Sequence, residues 1–140
     1  MCVAGYFGAN GGTCAACAAG SWCSGGVSNA CPAHAASPVL SSASTNCTCH
    51  DGYKGANGAA CTLCPLDKYC SLGASVACPD NAVSPKGSYA LAQCVCNVGA
   101  SGHNGGPCSL CTAGMYKEQN GTSACVKCMV PCTLNPNAAL

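Results

Sequence analysis

The residues in this sequence that can do chemistry are mostly cysteines. They stand as close pairs at Cys14 and Cys17, Cys61 and Cys64, Cys108 and Cys111, and Cys125 and Cys128. At that spacing, two pairs can offer four thiolates to one tetrahedral zinc. Ten further cysteines, Cys2, Cys23, Cys31, Cys47, Cys49, Cys70, Cys78, Cys94, Cys96 and Cys132, bring the total to 18 in 140 residues, and a zinc ribbon has no use for them. About 13% cysteine exceeds the roughly 8–10% that marks a disulfide scaffold. The sulfur is therefore read as bridges, with two bridges meeting at each close pair and no metal or cofactor expected. Thiols at this density persist as bridges in an oxidising compartment, which implies an extracellular, secreted or cell-surface address. A thiol-rich metal store is the opposite reading and requires free thiols.

Acid–base chemistry has little to work with. His34, His50 and His103 are replaced by Asn81, Asn97 and Ala56 at a distance of 47 residues, and the acids Asp51, Asp67, Asp80 and Glu118 are scattered. A catalytic group needs a positioned partner. Only His50 and Asp51 are adjacent, so no enzyme is expected. Hard cations need clustered oxygen ligands, yet Ala15-Ala16 precede Cys17 and Thr62-Leu63 precede Cys64. Two glycosylation sequons remain, Asn46-Cys47-Thr48 and Asn120-Gly121-Thr122. Asn120 lies in a plain polar loop and is the favoured acceptor, whereas Asn46 abuts a bridged cysteine. Trp22 and Tyr69 each precede a cysteine and are expected to pack on the adjacent bridge, with Tyr6, Tyr53 and Tyr116 covering module junctions.

Composition explains why sulfur must do so much. The 49% of residues counted as hydrophobic is mostly Ala and Cys, with no Ile and with Phe7 and Trp22 alone of their kinds. Burying a large apolar side chain gives roughly 1.5–3 kcal/mol and Ala far less, too little to offset the entropy of ordering the chain. Net charge is +1 and 6% of residues are charged, which leaves no basic stripe for nucleic acid. No window approaches the ~18 unbroken apolar residues of a membrane span, so direct membrane insertion is not expected. The Met1-Cys2 start lacks the basic and apolar segments of a secretory leader although the cysteines demand secretion, which reads as a fragment of a longer secreted protein.

The elements that hold these cysteines repeat. Between Cys49 and Cys61 the chain reads Gly52-Tyr53-Lys54-Gly55-Ala56-Asn57-Gly58. Gly takes positive φ freely, so Asn57-Gly58 marks a tight turn between two short strands, clipped by the flanking cysteines. The same frame occurs 47 residues earlier, where Cys2 and Cys14 would clip Gly5 to Gly11, and 47 residues later at Gly99 to Gly105. Cys14, Cys17, Cys23, Cys31, Cys47 and Cys49 recur as Cys61, Cys64, Cys70, Cys78, Cys94 and Cys96. Trp22 recurs as Tyr69 and Ser37-Pro38 as Ser84-Pro85. Such repeats are stacked supersecondary units, each too small to bury a face alone. The Ser-, Ala- and Pro-rich arms 32–46 and 79–93 show neither helical nor strand periodicity and read as exposed loops able to carry O-linked sugar. The third copy departs from the frame after Cys111.

From Cys17 and from Cys64 the order C-x5-C-x7-C-x15-C-x-C-x11-C resembles an epidermal growth factor-like module. The Cys-x-Cys followed by Gly52-Tyr53-Lys54-Gly55 is its most specific part, and the second copy departs with Ala100 in the aromatic position. The resemblance implies bridges Cys17–Cys31, Cys23–Cys47 and Cys49–Cys61, then Cys64–Cys78, Cys70–Cys94 and Cys96–Cys108. The segment from Cys108, with Gly114 to Lys117 and Gly121 to Cys128, is similar to the cysteine-rich repeats of ephrin-receptor-like proteins. The wider pattern resembles arrays in algal and protist surface proteins, including those of flagellar hairs called mastigonemes.

The expected architecture is a small disulfide-rich fold of tandem epidermal growth factor-like modules, with short β-hairpins and long loops, forming an elongated rod. Residues 1–16 would be the end of a preceding repeat, 17–63 and 64–110 full modules, and 111–140 a shorter ephrin-receptor-like module and tail. The expected role is an extracellular structural protein that builds a filament or cell-surface appendage, with copies of itself or other filament subunits, and attached glycans, as partners. A ligand-binding ectodomain of an adhesion or signalling receptor is the alternative, with Asp67, Lys68 and Tyr69 as its best candidates.

Overall fold

A computed structural model gives the structure of the chain and describes residues 1–129. It consists of short antiparallel β-pairs and two single-turn 3-10 helices, Ser44–Asn46 and Leu91–Gln93. The small disulfide-rich class of short hairpins is the one expected. Among the described residues two compact units are distinguished: Met1–Leu63 with Cys70–Ser75, and Cys64–Tyr69 with 76–129.

In the first unit, Tyr6–Phe7 pairs with Ala15–Ala16, Ser21–Ser24 with Val27–Ala30, Ala35–Ala36 with Thr48–Cys49, and Tyr53–Lys54 with Thr62–Leu63. In the second unit, Ala82–Val83 pairs with Val95–Cys96, Ala100–Ser101 with Ser109–Leu110, and Met115–Tyr116 with Val126–Lys127. Two-residue strands cannot bury a sheet face, and isolated hairpins are marginal at best in water. Cross-links compensate. Cys2–Cys14, Cys49–Cys61 and Cys96–Cys108 each close a 12-residue separation around the Asn-Gly loop. Each such closure removes about 2–3 kcal/mol of denatured-state entropy.

The remaining pairing corrects the expectation drawn from the growth factor-like resemblance. Cys17 bonds Cys23 and Cys31 bonds Cys47, in place of Cys17–Cys31 and Cys23–Cys47. Cys78 bonds Cys94, which rules out Cys64–Cys78 and Cys70–Cys94. The cause is local geometry. Cys23 lies in a hairpin strand reached six residues after Cys17, and the arm after Cys31 returns through the 3-10 helix to Cys47 beside it. In the last copy Cys111 bonds Cys125, while Cys64, Cys70 and Cys128 are disulfide-bonded as well. Cys132 lies outside the described residues.

The interior confirms how little apolar material there is. Among the described residues, the largest side chains below 2% exposure are seven cysteines and Ser88. The arms are largely exposed, as expected, but each is anchored by two buried serines. Ser37, Ser41, Ser84 and Ser88 are buried, with exposures of 1–6%. Ser37 Oγ donates to Ser21 O and Ser84 Oγ to Lys68 O, while Ser41 and Ser88 close their own turns onto Pro38 O and Pro85 O. These hydroxyls are committed to hydrogen bonds and are not free for sugar. A buried hydroxyl is tolerable only when paired, and short Ser side chains let the arm lie close to the hairpin.

Each Asn-Gly loop has the expected turn. Ala59 N donates to Ala56 O across Asn57-Gly58, and Gly58 has φ +81°. A Cβ at Gly58 would stand 2.8 Å from Ser44 O, whereas one at Gly11, with φ +80°, would meet nothing within 4 Å. Gly11→Ala should therefore carry only the left-handed penalty, about 1–2 kcal/mol. Gly58→Ala should cost more, because it adds a backbone clash. Guanidinium unfolding with bridges intact measures both, and equal losses would show that the contact with the 3-10 turn contributes nothing.

Candidate functional site

The feature that recurs from copy to copy is a backbone seat. Gly5 N donates to Cys23 O and Gly8 N to Gly26 O, both at 3.0 Å, and Cys17 N returns a bond to Gly5 O. One copy later, Gly52 N donates to Cys70 O at 2.9 Å and Gly55 N to Gly73 O at 3.0 Å. Short parallel bridges, Phe7 with Gly26 and Lys54 with Gly73, accompany these bonds. The loop clipped by one disulfide thus rests on the hairpin tip that follows it in the chain. Close approach requires bare backbone, since a Cβ at Gly73 would lie 2.5 Å from Gly55 O. Disulfides flank the first seat on both sides, Cys2–Cys14 in the loop and Cys17–Cys23 under the tip.

The third copy keeps this seat further than its cysteines suggest. Gly99 N donates to Lys117 O and Cys111 N to Gly99 O, so Lys117 holds the place of Cys23 and Cys70. Those cysteines are fully buried, and Lys117 is only 4% exposed. Its Nζ donates to Ala100 O at 2.7 Å, to Cys96 O and Asn97 O at 3.4 Å, and to Gly121 O. An ammonium has three protons, here shared among four carbonyls. Gly121 N adds a bond to Cys96 O. A carbonyl-held cation thus occupies a position where the earlier copies have a bridged sulfur, and Cys111 takes Cys125 instead. Burial lowers the pKa of Lys117. The 47-residue frame already placed Lys117 opposite Cys70, and that was the available signal.

The other candidates are spread apart. His34 stacks on Tyr53 with ring centroids 4.1 Å apart, inside its own module, so Tyr53 does not cover a junction there. In the second copy Ala100 is fully buried in Tyr53's place, and Asn81, in the place of His34, donates through Nδ2 to Cys108 O. His34 and Asn81 share a left-handed φ of 61°, which suits both types. Asp51 accepts from Ser71 Oγ at 2.8 Å, and His50 is exposed. Tyr69 packs against the cluster of Ala82, Cys94, Cys96, Ala100 and Cys108, and Trp22 is half-buried in its strand. Among the described residues no three His, Cys, Asp or Glu side chains converge, and no cysteine is free. No helix of those residues is long and apolar enough to cross a membrane.

No family model, curated protein or solved structure matches this chain. The candidate site therefore rests on its own geometry.

Two outcomes follow for Lys117. Because burial holds its folded pKa below that of a free lysine side chain, the native state sheds this proton before the unfolded state does. Between the two values the unfolded chain binds more protons, so stability rises with pH through that window and levels off above it. Denaturant midpoints for the wild type relative to Lys117→Met, which has no charge to lose, should increase from pH 7 toward 10.5. A constant difference would contradict this. Separately, Lys117→Cys should capture Cys111 and release Cys125, as peptide mapping of the unreduced protein would reveal; retention of Cys111–Cys125 would break the equivalence with Cys23.

Proposed function

We propose that the chain is an extracellular structural protein whose repeats build a filament or surface appendage. The observation that carries this reading is the repeated seat: Gly5 and Gly8 on Cys23 and Gly26, then Gly52 and Gly55 on Cys70 and Gly73. Both seats are made from peptide groups and flanked by covalent clips, which suits transmission of load. Chemistry-bearing side chains are engaged elsewhere or isolated, which leaves little for an active site.

Self-association is supported by the surface. Val39, Leu66 and Leu72 are 56–75% exposed, on a chain with only 6% charged residues to oppose contact. The receptor reading depends on Asp67, Lys68 and Tyr69, and Tyr69 packs inward on the Cys96–Cys108 region rather than outward. The bridge pairing departs from the growth factor-like order, which counts against that resemblance.

Purified oxidised protein should form concentration-dependent assemblies in sedimentation velocity and linear particles in negative-stain images. Compact monomers at every concentration, together with saturable binding of a soluble partner, would favour the receptor reading and sink this one.

A further inference from the structure

We infer that Asn120 is an N-glycosylation site whose first sugar covers an apolar cleft of the second unit, and that Asn46 stays unmodified once the chain has folded. The inference rests on the extracellular reading above. Asn120 lies in the bend between the strands Met115–Tyr116 and Val126–Lys127, and both it and Thr122 are exposed. Its amide is oriented by one bond: Oδ1 accepts from Val98 N at 3.0 Å. That bond uses the oxygen, and glycosylation uses the nitrogen. Transfer from a lipid-pyrophosphate oligosaccharide forms the bond from Nδ2 to sugar C1 and breaks the bond from C1 to the pyrophosphate oxygen. Lipid pyrophosphate leaves, and the amide gives up one proton to a base of the transferase. The carbonyl oxygen remains to accept from Val98.

Asn120 also lines a cleft of about 410 Å³ walled by Leu66, Val83, Pro85 and Val95, with Asp67 and Ser84 at its side. Leu66 is 56% exposed there. A sugar attached at the rim presents the apolar face of its ring, and its acetamido group, to these side chains, with no loss of translational freedom because the tether is covalent. Asn46 is placed differently. Its Oδ1 accepts from both Ser42 N and Ala43 N and caps the 3-10 turn, while Thr48 sits in a paired strand and donates to Ala36 O. Gln93 makes the same two-bond cap in the second copy, to Tyr89 N and Ala90 N, and it is not a sequon residue. The bonds to Asn46 use the oxygen, as at Asn120, and leave Nδ2 free; what sets position 46 apart is the rest of its sequon, with Thr48 held in a strand pair and Cys47 fixed once Cys31–Cys47 closes.

The test directs the full chain into the secretory pathway of a eukaryotic cell and analyses the secreted protein by intact mass, glycopeptide mapping and thiol labelling. The expected result is an oxidised protein with one glycan, at Asn120, lost in Thr122→Ala and kept in Thr48→Ala. An oxidised, secreted protein with no glycan, or with sugar only at Asn46, overturns the inference and leaves the structural reading standing. A retained chain with reactive thiols overturns the extracellular reading, and the inference with it. For the cleft, the glycan is trimmed enzymatically to its first sugar and compared with Thr122→Ala in binding a fluorescent hydrophobic dye. Weaker dye binding by the trimmed protein is expected, and equal binding overturns the covering role.

Discussion

Covalent closure replaces a hydrophobic core throughout this molecule. Buried sulfur fills the space that Leu, Ile or Phe would occupy in a larger domain, and each bridge also shortens the list of conformations open to the unfolded chain. Because the seven bridges whose partners are given above are local, separated by 6 to 16 residues, each of them fixes a small loop. Backbone hydrogen bonding then joins loops already held in shape, helped by a few side-chain bonds such as those of Ser37, Ser84 and Lys117. This explains how strands of two residues can persist, and why large side chains such as Leu66 and Leu72 remain on the surface without cost to the interior.

Exchanges between copies follow the same logic. The stacked His34 and Tyr53 of one copy become Asn81 and Ala100 in the next, a ring pair replaced by a small buried side chain and an amide bond to Cys108 O. Lys117 is a larger exchange, since an ammonium needs acceptors where a half-cystine needs only a partner sulfur. The backbone supplies them through the carbonyls of Cys96, Asn97 and Ala100. Burial of a charge with this many partners is the condition under which it is tolerated.

Much of this was legible in the sequence, and the rest was hidden for physical reasons. Cysteine density, the 47-residue frame and the Asn57-Gly58 turn gave the class, the copies and the Cys49–Cys61 clip, because each depends on a residue type with one dominant conformational use. The Cys17–Cys23 and Cys31–Cys47 pairing was not readable, since spacing admits several connectivities and the family resemblance favoured another. The anchoring of the arms was missed because Ser37 and Ser84 act through hydroxyl bonds that leave no periodic pattern. The seat was half visible: its glycines stood out, but their acceptors are main-chain carbonyls, which every residue possesses.

That last property bears on how such an array could change length. A junction that recognises peptide groups, and asks only for glycine at the closest approach, needs no matched mutation on the neighbouring unit. Tandem duplication of the gene segment would insert a compatible unit at once, and later drift in exposed side chains would leave the joint intact.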